Sequence, residues 1–369
     1  MSERRRRSAA LAYLLANPET PLHQALRLQG VDDAWALFED RHPSIPSALH
    51  RRWESLAGQA LFTPPADGDV HLLIPGDAHW PSQLAALAAL EPWALWVRGA
   101  RPELLLEPRS VAVVGARAAT AYGERVAADL GHGLARAGVP VVSGGAVGID
   151  AAAHRGALAG DGATIAVLAC GVDVPYPAAN AALFDAVARE GCIVSEVPPG
   201  LRPTRQGFLA RNRIIAALAY GIVVVEARVR SGSHSTYRQA AACQRVLMAV
   251  PGPVTSPESA GPHELLKLDA RLVTDADDVL ALVLPLGDAH EVPAPDVRTE
   301  WDDLDARQRS VHELLPARGA VGIETLLAHT GLDIGALLAA LSALADRGIV
   351  EETVDGAWRR RRRLRGAAA

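Results

Sequence analysis

Lysine is nearly absent from this 369-residue chain: Lys267 stands alone among 37 basic residues, and the others are arginines. No Gly-x-x-x-x-Gly-Lys-Ser/Thr run occurs, which excludes a P-loop ATPase. The three cysteines, Cys170, Cys192 and Cys243, stand apart in apolar stretches with no Cys-x-x-Cys or Cys/His spacing. That excludes a zinc site, and an odd, unclustered set suits a reducing cytoplasm, the expected location. No stretch reaches the ~18 apolar residues of a membrane span. Arg4 to Arg7 ahead of SAALAYLLA imitate a secretory leader. However, Asn17, Pro18 and Glu19 end that run without a small-residue cleavage site, so it reads as a first helix. The Gly-x-Gly-x-x-Gly fingerprint of dinucleotide binding is missing, as are His-Glu-x-x-His and the Gly-x-Ser-x-Gly nucleophile elbow. Asp150, Asp173, Glu196 and Glu226 are spread over separate loops, which leaves a metal-dependent nuclease open but unsupported. Glu196 and Glu226, at strand ends, are expected to brace arginine-bearing loops. No metal or cofactor site is expected from these segments.

What is present is apolar residues, 49% of the chain, and a net charge of only −5. That suffices for large cores, and the length suits two or three domains at roughly 100–200 residues each. The arginine bias has two sources: forked recognition of phosphate and carboxylate, or simply a GC-rich genome.

Residues 1–65 show helical periodicity broken by NPETP, GVDD and HPSIP, a small helical module. EPWALWVRG reads as a short strand. From Ser110 strand and helix alternate. Strands are expected at 110–115, 139–144, 163–170, 192–196, 221–227 and 245–250, with helices at 123–137, 148–159, 178–190, 210–219 and 234–244. Strands this apolar are buried on both faces, which implies an α/β fold with a doubly wound parallel sheet over residues 66–284. Its ligands sit beyond the C-terminal strand ends. PLGDAHEVPAPDVRTE begins a linker, 285–303. In 304–360 a helix, a helix–turn–helix and a hairpin with an Asp-Gly turn follow one another, a winged-helix pattern. An arginine-rich tail, 361–369, completes the chain.

Four strand ends carry anion-binding chemistry. Gly115 closes the first strand, with Arg117 in the loop behind it. The segment VVSGGAVGIDAAAH brings Ser143, Gly144, Gly145 and Gly148 to the N-terminus of a helix, whose free amides suit a phosphate. Asp150 there either complements the helix dipole or touches a ligand. His154 is a packed or capping residue. SEVPPGLRPTRQGFLARNRIIAAL presents Arg202 and Arg205, Phe208 as a stacking surface, and Arg211, Asn212 and Arg213 opening an apolar helix. Either a polyanion or buried structural contacts would hold those arginines against the macrodipole. Ser231, Gly232 and Ser233 form the fourth loop. Several cradles and no acidic cluster favour an extended anion, such as a nucleic-acid strand held by its backbone.

The ordered run GAR…YG, SGGAVGIDAAAH, TIAVLACGVDVPYPAAN, IVSEVPPG, FLARNRIIAAL, VVEA…SGS and AVPG resembles the DNA-processing protein DprA (Smf) family over about residues 75–282. The resemblance implies an extended Rossmann-like domain, an N-terminal sterile-alpha-motif-like (SAM-like) domain and a C-terminal winged helix. It implies single-stranded DNA binding, delivery of that strand to the RecA recombinase during natural transformation and recombination, a homodimer, and no catalytic activity. The DNA pocket would fall on Gly115, Arg117, Ser143 to Gly145, Arg202, Arg205, Phe208, Arg211 to Arg213 and Ser231 to Ser233. In PHELLKLDARLV, His263, Leu266 and Leu272 match the region the family uses to dimerise; ordinary core packing would equally explain the two leucines. Two other functions stand beside this. One is a nucleotide-hydrolysing lysine-decarboxylase-like enzyme, whose PGGxGTxxE signature is reduced here to PGP at 251–253. The other is a duplex-DNA-binding protein acting through the winged helix. Its recognition helix, 333–347, carries only Arg347 as a base and would bind duplex weakly, helped by the tail.

Overall fold

A computed structural model describes residues 2–56, 69–229, 232–284, 304–316 and 319–361. The linker 285–303, the 65/66 boundary, Ser231 and the tail beyond 361 lie outside the described residues, and Ser233 is described as backbone only. The chain forms two compact units, Met1–His290 and Glu291–Ala369.

The first unit opens with helices α1 (Glu3–Leu14), α2 (Pro21–Gln29), α3 (Val31–Glu39) and α4 (Ser47–Leu56). Ser2 and Thr20 cap α1 and α2, each with a side-chain oxygen accepting a first-turn N–H, and Pro21 takes the first-turn position where its missing N–H is harmless. Leu11, Leu26 and Phe38 from these helices join one hydrophobic cluster with Trp93, Trp96, Leu168 and Ile193 of the sheet region.

The sheet has nine strands: β1 (Val70–Leu73), β2 (Leu95–Arg98), β3 (Val111–Val114), β4 (Val141–Ser143), β5 (Thr164–Leu168), β6 (Cys192–Ser195), β7 (Gly221–Val224), β8 (Val246–Ala249) and β9 (Arg271–Leu272). Their order is β1-β2-β6-β5-β4-β3-β7-β8-β9. From β6 to β9 every pairing is parallel, as the apolar runs require, while β1 and β2 add an antiparallel edge. Along β3, Val111 and Val113 face one cluster and Ala112 and Val114 the other, so both faces are buried. Helices α5 (Ala121–Arg136), α6 (Ile149–Ala159) and α11 (Ala276–Val283) cover one face. Helices α8 (Arg205–Leu218) and α9 (Gly232–Ala242) cover the other. Helix α7 (Ala181–Glu190) packs on β5 and β6, and α10 (Ala260–Lys267) precedes β9. Helices α5 and α6 approach so closely that a Cβ on Gly156 would stand 2.0 Å from the Ala128 carbonyl oxygen.

Helix α8 differs from expectation. It begins at Arg205, five residues early, because the Thr204 hydroxyl caps it by accepting the Gly207 N–H at 2.9 Å. Arg211, Asn212 and Arg213 therefore sit inside the helix rather than opening it.

The second unit contains α12 (Ala306–Leu314), α13 (Ile323–Thr330), α14 (Ile334–Asp346) and the antiparallel pair β10 (Val350–Glu352) and β11 (Trp358–Arg360). Five residues, 353–357, join the two strands instead of a bare Asp-Gly turn. The Thr353 hydroxyl and amide both donate to the Ala357 carbonyl across that loop. Among the described residues no single helix is long and apolar enough to cross a membrane.

Candidate functional site

Strand order reverses between β3 and β7, so the chain departs to opposite sides there and leaves a crevice beyond their carboxyl ends. Such a switch point is where doubly wound sheets hold ligands. A cavity of about 590 Å³ occupies it, walled by the 114–118 loop, Ala146, Asp150, Arg228, Gly232 and one face of α8.

At its rim the Arg117 guanidinium stacks over the Phe208 ring, 4.6 Å from the centroid. Tyr176 lies on Phe208 in turn, with ring centroids 5.6 Å apart and planes tilted 50°. Arg117, Arg205, Leu209 and Tyr176 are exposed here. A cation beside an open aromatic surface can take a phosphate and a base together.

The loop carrying Arg117 is fixed from behind. Glu226, buried after β7, accepts from the Thr120 amide at 2.8 Å and the Thr120 hydroxyl at 2.6 Å. A Cβ on Gly115 would meet the Glu226 carbonyl oxygen at 2.8 Å, so this strand end tolerates only glycine.

The glycine loop after β4 holds an anion of its own. The Gly144 and Ala146 amides donate to the same Asp150 carboxylate oxygen at 3.2 and 3.4 Å. Asp150 is buried, and desolvation raises its pKa against the opposing pull of the Arg211 charge. Arg211, only 7% exposed, donates from Nη1 to the Val167 carbonyl at 2.6 Å. Burial lowers its pKa, and Asp150 works in the other direction. A Cβ on Gly144 would stand 1.8 Å from that Nη1, so this glycine admits the guanidinium. These two loop amides are thus given to Asp150, and besides Ala146 in the wall the loop contributes the position of Arg211.

Five expected contacts are off the lining of this cavity: Gly144, whose amide goes to Asp150, Arg202, which lines a separate pocket with Gly207 and Ala210, and Ser143, Gly145 and Arg213. The Ser143 hydroxyl is fully buried and donates to the Val113 carbonyl at 2.7 Å. The Gly145 carbonyl receives the Asn180 amide, and the loop turns there with φ at +66°. Arg213 is 2% exposed, its Nη2 donating to both Glu196 oxygens at 2.8 Å and its Nε to the Leu90 carbonyl at 2.7 Å. Buried structural contacts, one of the two explanations the sequence leaves open, hold Arg213. Asn212 lines the cavity and donates to the Gly232 carbonyl at 3.4 Å. Of the fourth loop, Gly232 lines the cavity. His263 is half-buried with Nε2 3.0 Å from the Gly252 carbonyl. Leu266 packs partly against the core, and Leu272 is 56% exposed on the edge strand β9.

Sequence reasoning missed Tyr176, Leu209 and Arg228 as cavity neighbours. The signal for Tyr176 was present: an aromatic between two prolines just beyond a strand's carboxyl end.

His154 is a packed residue. It is fully buried, with Nδ1 2.7 Å from the Thr164 hydroxyl, which donates onward to the Val141 carbonyl. Burial chiefly, with help from the Arg211 and Arg155 charges, lowers its pKa to about 3 from an ordinary 6.5. Between those values the unfolded chain binds a proton that the folded chain refuses. Stability therefore falls as pH drops from 6.5 towards 3, by about 1.4 kcal/mol per unit. The His154 ring resonances should stay constant in NMR from about pH 8 to about pH 5; a midpoint near 6.5 would contradict the buried, neutral ring.

Among the described residues no group of three His, Cys, Asp or Glu could hold a metal ion.

Residues 71–284 match the family model described as DNA recombination-mediator protein A. A DNA processing protein DprA of Mycobacterium tuberculosis is 47% identical over 311 residues, covering 81% of this chain and 79% of that protein. The X-ray structure of DNA processing protein A from Streptococcus pneumoniae matches with a TM-score of 0.58 at 33% identity, over 75% of this chain and 95% of that one. A Helicobacter pylori DNA processing protein A, solved to explain its single-stranded DNA binding mode, matches with a TM-score of 0.53 at 32% identity, over 60% of this chain and 97% of that one.

Proposed function

This chain belongs to the DNA recombination-mediator protein A family, and from that premise we propose that it binds single-stranded DNA in the switch-point cavity and delivers it to the RecA recombinase. The observation that carries the proposal is the stack of Arg117 on Phe208 and Phe208 on Tyr176 at the open rim. The rings offer a face that any base can use, and Arg117 and Arg205 offer charge to the phosphates between bases. The Helicobacter pylori relative's single-stranded DNA binding supports the same ligand here. Binding of this kind is strong on flexible strands and weak on duplex, whose bases are already stacked on each other.

The proposal assigns dimerisation to the edge formed by α10 and β9, where Leu268 and Leu272 are exposed and His263 and Leu266 stand behind them. It treats helices α1–α4 as the SAM-like module and the second unit as a winged helix. On α14 the exposed residues are Ile334, Gly335, Leu338, Ala339, Ser342 and Asp346, none of them basic, which suits a protein contact better than a DNA groove.

Removing 304–369 should leave oligo-dT affinity within about two-fold, and both forms should prefer the single strand over a matched duplex by at least about ten-fold. Fluorescence anisotropy measures both. Loss of most affinity on truncation would move the site to the second unit.

A further inference from the structure

A second cavity, of about 250 Å³, lies on the other side of α8. Phe208, Asn212 and Ile215 line the first cavity, whereas Gly207, Ala210 and Ile214 line the second. Those are opposite helix faces at i, i+3 and i+4 spacing. The second cavity is bounded by α1, α4 and the segments following β5 and β6, so helices α1 and α4 complete it.

Its chemistry is divided. Leu168, Val197, Leu201 and Ile214 make an apolar interior, while Arg52 and Arg202 bring guanidinium groups to the lining. Arg52 lies over the Tyr13 ring, 4.0 Å from the centroid. Among the described residues neither Arg52 nor Arg202 pairs with a carboxylate, and the one carboxylate of the lining, Glu196, is held by Arg213. Arg211, 7% exposed, lines both cavities, and its Nε has no hydrogen-bond partner.

A pocket with an apolar body, a tyrosine edge and unpaired arginines selects a flat ring joined to an anion. Its volume lies just under the range of about 300–1,000 Å³ that takes drug-sized ligands, which limits the occupant to about one nucleotide. We propose that the cavity between α8 and helices α1 and α4 is a mononucleotide site, with the base among Leu168, Leu201 and Ile214 and the phosphate on Arg52 and Arg202. The nucleotide is either free in solution or one residue of a bound strand, and only the latter source rests on the strand-binding proposal above.

Isothermal titration of the full-length protein with thymidine and adenosine monophosphates tests this, beside oligo-dT anisotropy on the same samples. Arg52→Glu, at an exposed position outside the first cavity, should weaken mononucleotide binding at least ten-fold. Ala210→Leu, which fills the cavity, should do the same. If Arg52→Glu weakens oligo-dT as well, a nucleotide of the strand is the occupant; if oligo-dT is unaffected, the free nucleotide is. Mononucleotide binding that ignores Arg52→Glu and Ala210→Leu would overturn the proposal. So would no mononucleotide binding at millimolar concentration together with unchanged oligo-dT affinity in Arg52→Glu. Should oligo-dT itself fail to bind, the strand-binding proposal falls and the mononucleotide titrations still decide this one.

Discussion

Arg213→Ala should destabilise the first unit by about 3–5 kcal/mol, the cost of leaving one member of a buried ion pair uncompensated. Its side chain is 2% exposed and that of its partner Glu196 11%. Besides the two-pronged contact with Glu196, the guanidinium satisfies the Leu90 and Ala210 carbonyls. Alanine strands all of these together. Glu196→Ala should cost a similar amount, since it strands the guanidinium instead. The pair Arg213→Met with Glu196→Leu should recover much of the loss, because two apolar groups need no partners. Urea unfolding of the four proteins measures this. Folded Arg213→Ala should still bind oligo-dT within about two-fold, as nothing in the first cavity depends on it directly. A stable Arg213→Ala protein that no longer binds the strand would instead make Arg213 a DNA contact.

Phe208→Ala should weaken oligo-dT binding about 10–100-fold. Base stacking on an aromatic ring contributes about 1–3 kcal/mol per base, and the same ring positions the Arg117 cation. Removing it takes away a stacking face and frees a guanidinium that the fold otherwise holds in place. Phe208 is only half-buried, so the folded state should change little. Phe208→Tyr, which keeps the ring, should retain most of the affinity. Anisotropy with oligo-dT and oligo-dA checks both, and the loss should be alike for the two because every base has a face to stack. Wild-type affinity in Phe208→Ala would remove the aromatic rim from the site.

The parallel sheet was legible because its strands are short apolar runs punctuated by glycine, and the structure places each of the six within a few residues of where the pattern puts it. Strands β1 and β9 were not: His71 interrupts one, and the other is two residues long. Their strand character comes from pairing with a neighbour. The start of α8 was hidden by the prolines before it, although Thr204 after Pro203 is itself a capping signal. That error made Arg211 to Arg213 look like one cluster at a helix end. Inside a helix the three residues point in different directions, and their fates diverge: Arg211 reaches Val167, Asn212 reaches Gly232, and Arg213 reaches Glu196 and Leu90. Those partners are distant in sequence, Leu90 by 123 residues, and no local pattern encodes them. Arg117 and Phe208 were legible because exposed loop and helix-end positions at strand C-termini keep their chemistry facing solvent. That they touch each other was not.

The central claim is that a single strand lies on Arg117 and Phe208 at the switch point, held by phosphate charge and base stacking without reading sequence. The most direct measurement is anisotropy of wild type and Arg117→Ala with labelled oligo-dT and a matched duplex across a salt series. Tight, salt-sensitive binding to the single strand is expected, weakened in Arg117→Ala, with the slope of log affinity against log salt shallower by about 0.7 for the lost phosphate contact. Single-strand binding with the same affinity and slope in Arg117→Ala, or binding to the duplex alone, would contradict it.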